Sequence, residues 1–219
     1  ELGKTWQPFG GAGYFVILAL LAMKLKQLPQ LAPNKSALQE IKSAFQFVGQ
    51  QQLVRTIIIN MGIVSLFGMG FVTLLPAWAV KILGGDATTN GLLQSARGVG
   101  AFFGALMTAA LSRQMIRGKL TSAGNILLPI FLLIFAALRW LPLSMIGLIC
   151  VGWAFQIYIN NANSLVQTEV PDVLRGRVMS IFTLTFFGMM PIGSLLAGTA
   201  ATQIGEPQTV ILGSSIVLA

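Results

Sequence analysis

The chain has 219 residues, 55% of them hydrophobic and 9% charged, with a formal net charge of +8. A soluble domain carries about 25% charged residues, so this composition excludes a water-exposed surface of ordinary kind. Without histidine, and with one cysteine (Cys150) inside an apolar run, it also excludes an internal disulfide, a His-dependent metal site and a His-based triad within these residues.

A helix crosses the hydrocarbon core in about 20 residues. Apolar runs of that kind are predicted at 9–23, 56–80, 91–111, 120–138, 141–159 and 178–201, with a further one opening near Thr209. Lipid offers the backbone no hydrogen-bond partners, and the runs are too long and continuous for barrel strands, so each is predicted to be a helix. The fold expected is all-α, a polytopic helical bundle.

The basic residues between the runs alternate. Lys4 stands alone, then come Lys24, Lys26, Lys35, Lys42 and Arg55. Lys81 is followed by the trio Arg113, Arg117 and Lys119, and Arg139 by the pair Arg175 and Arg177. Lys and Arg are retained on the cytoplasmic side of polytopic proteins. Loops 24–55, 112–119 and 168–177 are therefore expected in the cytoplasm, with the chain entering from outside. The net positive charge is assigned to topology and to lipid headgroups, not to nucleic acid. The first residue is Glu1 and the last apolar run is cut short, so the chain is expected to be a piece of something longer.

Within the long inner loop, Leu38, Ile41, Phe45 and Val48 recur at helical spacing from Ser36, which forms a capping-box pattern with Gln39. An amphipathic helix on the membrane surface is predicted there. The turn 82–90 contains Gly84-Gly85-Asp86 as a breaker, with Thr88 or Thr89 as the expected cap of the next helix. In that next span Ala96, Gly100, Gly104 and Thr108 form a small-residue face for close helix approach. Pro191, flanked by Gly188, Gly193 and Gly198, is expected to bend the sixth span.

Arg97 is the one charge inside a predicted span. Ionisable residues at such depth face a cavity or a partner. Asn90, Gln94, Arg97 and Ala101 share one helical stripe, and Gln156, Asn160, Asn163 and Gln167 form a second in the fifth span. Arg97 could line a cavity and hold an anionic group of a substrate, and buried amides could bond a ligand or merely another helix. The competing reading makes Arg97 a structural clamp. Gly100, Gly104, Gly188, Pro191 and Gly193 are the candidates for helix packing or hinging. Opposite charges on two inner loops, Arg113 and Arg117 on one and Glu169, Asp172, Arg175 and Arg177 on the other, are candidates for a cytoplasmic gate. The six acids all lie outside the predicted spans, and no phosphate-binding glycine loop or metal-ligand cluster is visible. No cofactor, metal or catalytic residue is expected, and the chain does not read as an enzyme.

The segment 167–180, reading Gln-Thr-Glu-Val-Pro-Asp-Val-Leu-Arg-Gly-Arg-Val-Met-Ser, resembles the major facilitator superfamily, in the branch of the enterobactin exporter and its drug-exporter-like relatives. Residues 95–101 with Gly104 look like that branch's eighth helix, and 191–198 like its eleventh. The resemblance implies helices six to eleven and the start of twelve: a six-helix half plus one preceding helix. Residues 1–23 would then close the N-terminal half, 24–55 form the linker, and 56–219 form the C-terminal bundle. It further implies a transporter alternating access around a central cavity in a bacterial-type inner membrane. Gln94, Arg97, Gln156 and Asn160 would then be the candidates to line that substrate cavity. The expected cargo is a small amphiphilic or anionic organic compound such as a siderophore or drug. Its partners would be the missing N-terminal half, the bilayer and that substrate. Ser112 stands where the family's loop signature usually has an acid before its arginine, so Glu169 and Asp172 would have to supply the negative partner. A membrane scaffold or assembly factor on the same fold is the alternative.

Overall fold

A computed structural model of the chain describes residues 37–111 and 114–219. The predicted span 9–23, the Lys24–Lys35 stretch of the inner loop, the Ser36 cap and the gate candidate Arg113 lie outside the described residues. Seven helices and no strand occur among those described: α1 (Ala37–Gln50), α2 (Gln52–Ile82), α3 (Ala87–Ala110), α4 (Gln114–Ala137), α5 (Leu141–Glu169), α6 (Asp172–Ile204) and α7 (Glu206–Leu218). The protein is an all-α membrane bundle. Segments of α2, α4, α5 and α6 are long and apolar enough to cross a bilayer. α3 is less apolar, because Thr88, Thr89, Asn90, Gln94, Ser95 and Arg97 crowd its first three turns.

The helices outrun the apolar windows. α5 continues ten residues beyond the predicted end at 159, and α6 begins six residues before 178. At 1.5 Å per residue, the 29 residues of α5 extend about 43 Å against a hydrocarbon core of about 30 Å. Its polar last turns need no lipid to remain helical. α6 runs as one helix through Pro191.

α2 departs most from the expected regular span. It carries two π-turns, at Val64–Gly68 and Trp78–Ile82, closed by Met69 N–H donating to the Val64 carbonyl at 2.9 Å and Leu83 N–H to the Trp78 carbonyl at 3.1 Å. A turn at Met69 and Gly70 separates the first π-turn from the segment Phe71–Ala77, which holds Pro76. Proline has no N–H to donate, and the helix resumes as a π-turn two residues later. The chain leaves α2 through Gly84, at φ +64°. α3 is capped by Asp86, not by Thr88 or Thr89: its carboxylate accepts the Thr89 N–H at 3.0 Å while Thr89 Oγ1 accepts the Asp86 N–H at 3.3 Å. The reciprocal pair satisfies two donors that a lone threonine cap would leave half done, and the helix-end N–H groups draw the Asp86 carboxyl below its ordinary range.

Association inside a bilayer depends on packing rather than on water exclusion, so small residues decide which backbones meet. A Cβ at Gly100 would strike the Ile149 carbonyl, one at Gly104 the Trp153 carbonyl, and one at Gly152 the Arg97 carbonyl. These contacts lock α3 to α5. Gly193 meets the Leu66 backbone in the same way and fastens α6 to the first π-turn of α2, where Ser65 Oγ also donates to the Phe186 carbonyl at 2.5 Å. At the opposite end of α2, Trp78 is fully buried, stacks on Phe135 of α4 at 4.7 Å, and lies 5.6 Å beneath the Arg139 guanidinium. Lys81 there donates to Glu206 of α7 at 2.5 Å.

α1 packs against α6 and the start of α2 and buries Ala44 and Val48. The predicted apolar face included Ile41 and Phe45, but these are 51% and 58% exposed. The helix is rotated so that Ala44 and Val48 are buried, while Ile41 and Phe45 stand at the rim of a groove beside α6.

Candidate substrate cavity

Arg97 stands 11 residues into α3, about 15 Å along the helix axis, on the side that meets α2 and α5. The α3–α5 contact fixes its place. With Gly152 opposite the Arg97 carbonyl, the two backbones approach too closely for any side chain between them, and the guanidinium must leave along the edge of the seam. There it enters a cavity of about 240 Å³ lined from α3 by Arg97, Gly98 and Ala101, from α5 by Val151, Gly152, Phe155 and Gln156, and from α2 by Met69 and Phe71.

The cavity is apolar with a cationic corner. Arg97 is half-buried, and its Nε is shielded from solvent with no hydrogen-bond partner. A guanidinium has five N–H donors and no acceptor, so an anion is the group that would satisfy it most strongly. Among the described residues the acids Glu40, Asp86, Glu169, Asp172 and Glu206 lie in loops or within the first or last turn of a helix, so none of these stands mid-helix as Arg97 does. Gln156 donates its side-chain N–H to Asn160 Oδ1 at 3.1 Å, one turn further along α5. Phe155 is backed by Phe186 of α6, with ring centroids 6.1 Å apart and planes inclined by 27°.

Of the four residues expected to share a cavity, Arg97 and Gln156 line one space. Asn160 reaches it only through Gln156, and Gln94, half-buried, is not among its walls. Asn163 and Gln167 bond to each other at 2.6 Å on the exposed end of α5. Met69, Phe71 and Phe155 were not singled out from sequence. Phe155 had a signal, since it adjoins Gln156 and follows Gly152 by three residues on one helical face. Met69 and Phe71 had none, because an apolar residue in an apolar span does not stand out until the break in α2 is known.

The loop charges are placed as follows. Asp172 and Arg175 pair at 2.6 Å within the first turn of α6, and Arg175 Nε also donates to the Gln167 carbonyl at 3.0 Å, joining α6 to the end of α5. Glu169 is exposed, while Arg117 and Arg177 are half-buried. Among the packing candidates, Gly100, Gly104 and Gly193 sit against backbone, whereas a Cβ at Gly188 would meet nothing nearer than Leu184 Cδ1 at 3.9 Å.

Residues 10–219 match the family described as transmembrane secretion effector. The chain is similar to the multidrug efflux pump Tap of Mycolicibacterium fortuitum, at 28% identity over 208 residues, covering 92% of this chain and 50% of that protein. It is also similar to the enterobactin exporters EntS of Citrobacter koseri (27% over 218 residues, 98% and 50% covered) and of Salmonella typhi (26% over 219 residues, 98% and 50% covered). The chain thus spans about half the length of these relatives. A family match over nearly every residue, on a helical bundle with several membrane-length spans, carries one conclusion: the chain belongs to the transmembrane secretion effector family of the major facilitator superfamily of transporters.

Proposed function

We propose that the chain is the C-terminal half of a secondary exporter that moves a small amphiphilic or anionic organic compound out of the cell. On this reading residues 1–23 end the N-terminal half, 24–55 link the halves, and 56–219 form a bundle that rocks against the absent half around a shared site. The cavity beside Arg97 is the wall contributed by this half. The observation that carries the reading is the Arg97 Nε, buried without a partner at the edge of an apolar cavity walled by Phe71 and Phe155. A structural clamp would have its donors occupied, which counts against a pure scaffold. The exporters among its relatives suggest the direction of transport.

The membrane is a bacterial-type inner membrane, with loops 24–55, 112–119 and 168–177 in the cytoplasm. Asp172 is already held by Arg175 in its own helix turn. Glu169 is therefore the acid left to reach across to Arg113 or Arg117 when the cytoplasmic side closes.

Efflux from cells carrying the complete protein tests the reading, with a panel of siderophores, dyes and anionic drugs and with Arg97→Ala as the comparison. The expected result is lowered accumulation of at least one anionic amphiphile, lost in Arg97→Ala at unchanged membrane level. Equal accumulation in both strains for every compound would sink it.

A further inference from the structure

A second cavity lies outside the proposed substrate path, between α1 and the first four turns of α6. It measures about 450 Å³, within the range of about 300–1,000 Å³ typical of small-molecule sites. Its walls are Ile41 and Phe45 of α1 and Ile181 and Leu184 of α6, with Arg177 and Ser180 at one end. Leu184 is 72% exposed, and Phe45 and Ile41 are more than half exposed. These large apolar side chains stand beside a gap that nothing in the described residues fills.

The groove is polarised along α6. Arg177 is the sixth residue of the helix, and Leu184 follows it by seven, about 10 Å further along the axis. The cationic end therefore lies towards the start of α6, and the apolar walls run inward from it. Lys42 is exposed on α1 beside Ile41. Loops 24–55, 112–119 and 168–177 together carry ten Lys and Arg residues against three acids, Glu40, Glu169 and Asp172. A suitable occupant presents an anion to a guanidinium and an alkyl chain to the wall beyond it. Guanidinium groups bind phosphate oxygens in bidentate fashion, and an amphipathic helix at the interface lies at the depth where phosphate and acyl chain meet.

We propose that this groove is a binding site for an anionic membrane phospholipid, its phosphate held by Arg177 and its acyl chain lying along Ile181 and Leu184 beneath Phe45. The inference rests on the reading that places α1 and the start of α6 at the inner leaflet, but not on Arg97 or on transport. Such a lipid would pin α1 to α6 and tie the linker between the halves to the charge of the membrane.

The test uses the complete protein in nanodiscs of equal phosphatidylglycerol and phosphatidylcholine, transferred to detergent, with retained lipid counted by native mass spectrometry. Wild type should retain phosphatidylglycerol over phosphatidylcholine by about tenfold, the scale of one charge-assisted interaction. Arg177→Gln should bring the ratio near unity, and Lys119→Gln, on the same face but away from the groove, should leave it unchanged. A fluorophore on Leu184→Cys, in a Cys150→Ala background, should be quenched by phosphatidylglycerol carrying brominated acyl chains. That readout leaves Arg177 intact, so it holds even if the glutamine variant fails to fold. An unaltered ratio in a monodisperse Arg177→Gln protein overturns the proposal. So does a fluorophore at 184 that no brominated lipid quenches, which would mean that protein from the other half covers the groove. Wild-type protein that retains the lipid but exports no compound of the panel would count against the exporter reading and leave this site standing.

Discussion

Arg97 differs in its surroundings from the cations whose partners are described. Arg139 caps the end of α4 by donating to the Ala136 carbonyl at 2.7 Å, and Lys81 and Arg175 pair with Glu206 and Asp172, whereas the Arg97 Nε is shielded without a partner. Replacing Arg97 by lysine keeps the charge and removes the planar fork. If the proposed cargo carries a carboxylate, Arg97→Lys should weaken its binding by about tenfold, near 1.4 kcal/mol, and Arg97→Gln should weaken it further. Ligand-induced shifts in melting temperature of the complete protein would show this; equal shifts in all three proteins would place the anion elsewhere. A second residue-scale prediction concerns Glu206, almost buried beside the exposed Lys81. The hydrogen bond from Lys81 draws the Glu206 carboxyl below its ordinary range. A depressed folded value means that the pair stabilises above the unfolded value, about 4.3 for Glu, and that the contribution vanishes as pH falls through the folded one. The melting temperature should therefore fall more steeply below about pH 4.3 in wild type than in Glu206→Gln. Parallel curves would mean that the pair contributes nothing. Arg97 and Gln156 were legible in the sequence because a polar side chain in an apolar run contrasts with its neighbours. Glu206 was legible only as a loop acid, since its partner lies 125 residues away.

At the level of helices, the α3–α5 seam is the element on which the cavity depends. Gly100→Ala and Gly152→Ala each drive a methyl group into a carbonyl of the facing helix, and overpacking of this sort costs about 1–3 kcal/mol. Both should lower the melting temperature and impair substrate binding together, because the same displacement moves Arg97. Gly188→Ala makes only an ordinary contact with Leu184 and replaces a residue poorly suited to a helix interior, a gain of up to about 1 kcal/mol, so it should be neutral or stabilising. A Gly188 variant as damaging as Gly100→Ala would show that the glycine serves motion rather than packing. The small-residue face of α3 could be read directly from its four-residue spacing. The extent of the helices could not, because hydropathy marks where lipid lies and not where the backbone stops being helical: the Asn160–Glu169 portion of α5 is helical and polar. The π-turns of α2 were beyond reach for another reason. The first, Val64–Gly68, sets the Leu66 and Phe67 backbones against Gly193 and Gly213 on two other helices, and no local pattern of residues encodes a partner so distant in the chain.

For the molecule as a whole, two exposed apolar faces set the requirement for what surrounds it. α3 shows Phe102 and Phe103, 60% and 56% exposed, and α6 shows Leu184, Phe187 and Leu195, each above 60%. In water such surfaces would aggregate; in a bilayer they meet acyl chains or another bundle of helices. On the proposed reading, the charge alternation sets the orientation. The last turn of α2 and the loop after it carry Lys81 and Asp86, and the start of α4 carries Arg117 and Lys119, a bias that on this reading would hold the latter inside. Single cysteines at Gly85, Gly118 and Gly176, placed in a Cys150→Ala background of the complete protein, test this directly. A membrane-impermeant maleimide should label position 85 in intact cells and positions 118 and 176 only after permeabilisation. Gly118 and Gly176 face open space, whereas a Cβ at Gly85 would strike Thr89, so labelling of that turn should be repeated at Thr88, which is exposed there. Labelling of 118 or 176 from outside would invert the topology, move Glu169 and Asp172 to the external face, and remove the basis for a cytoplasmic gate. It would also place the groove between α1 and α6 in the outer leaflet, where its lysine and arginine would face a different lipid population.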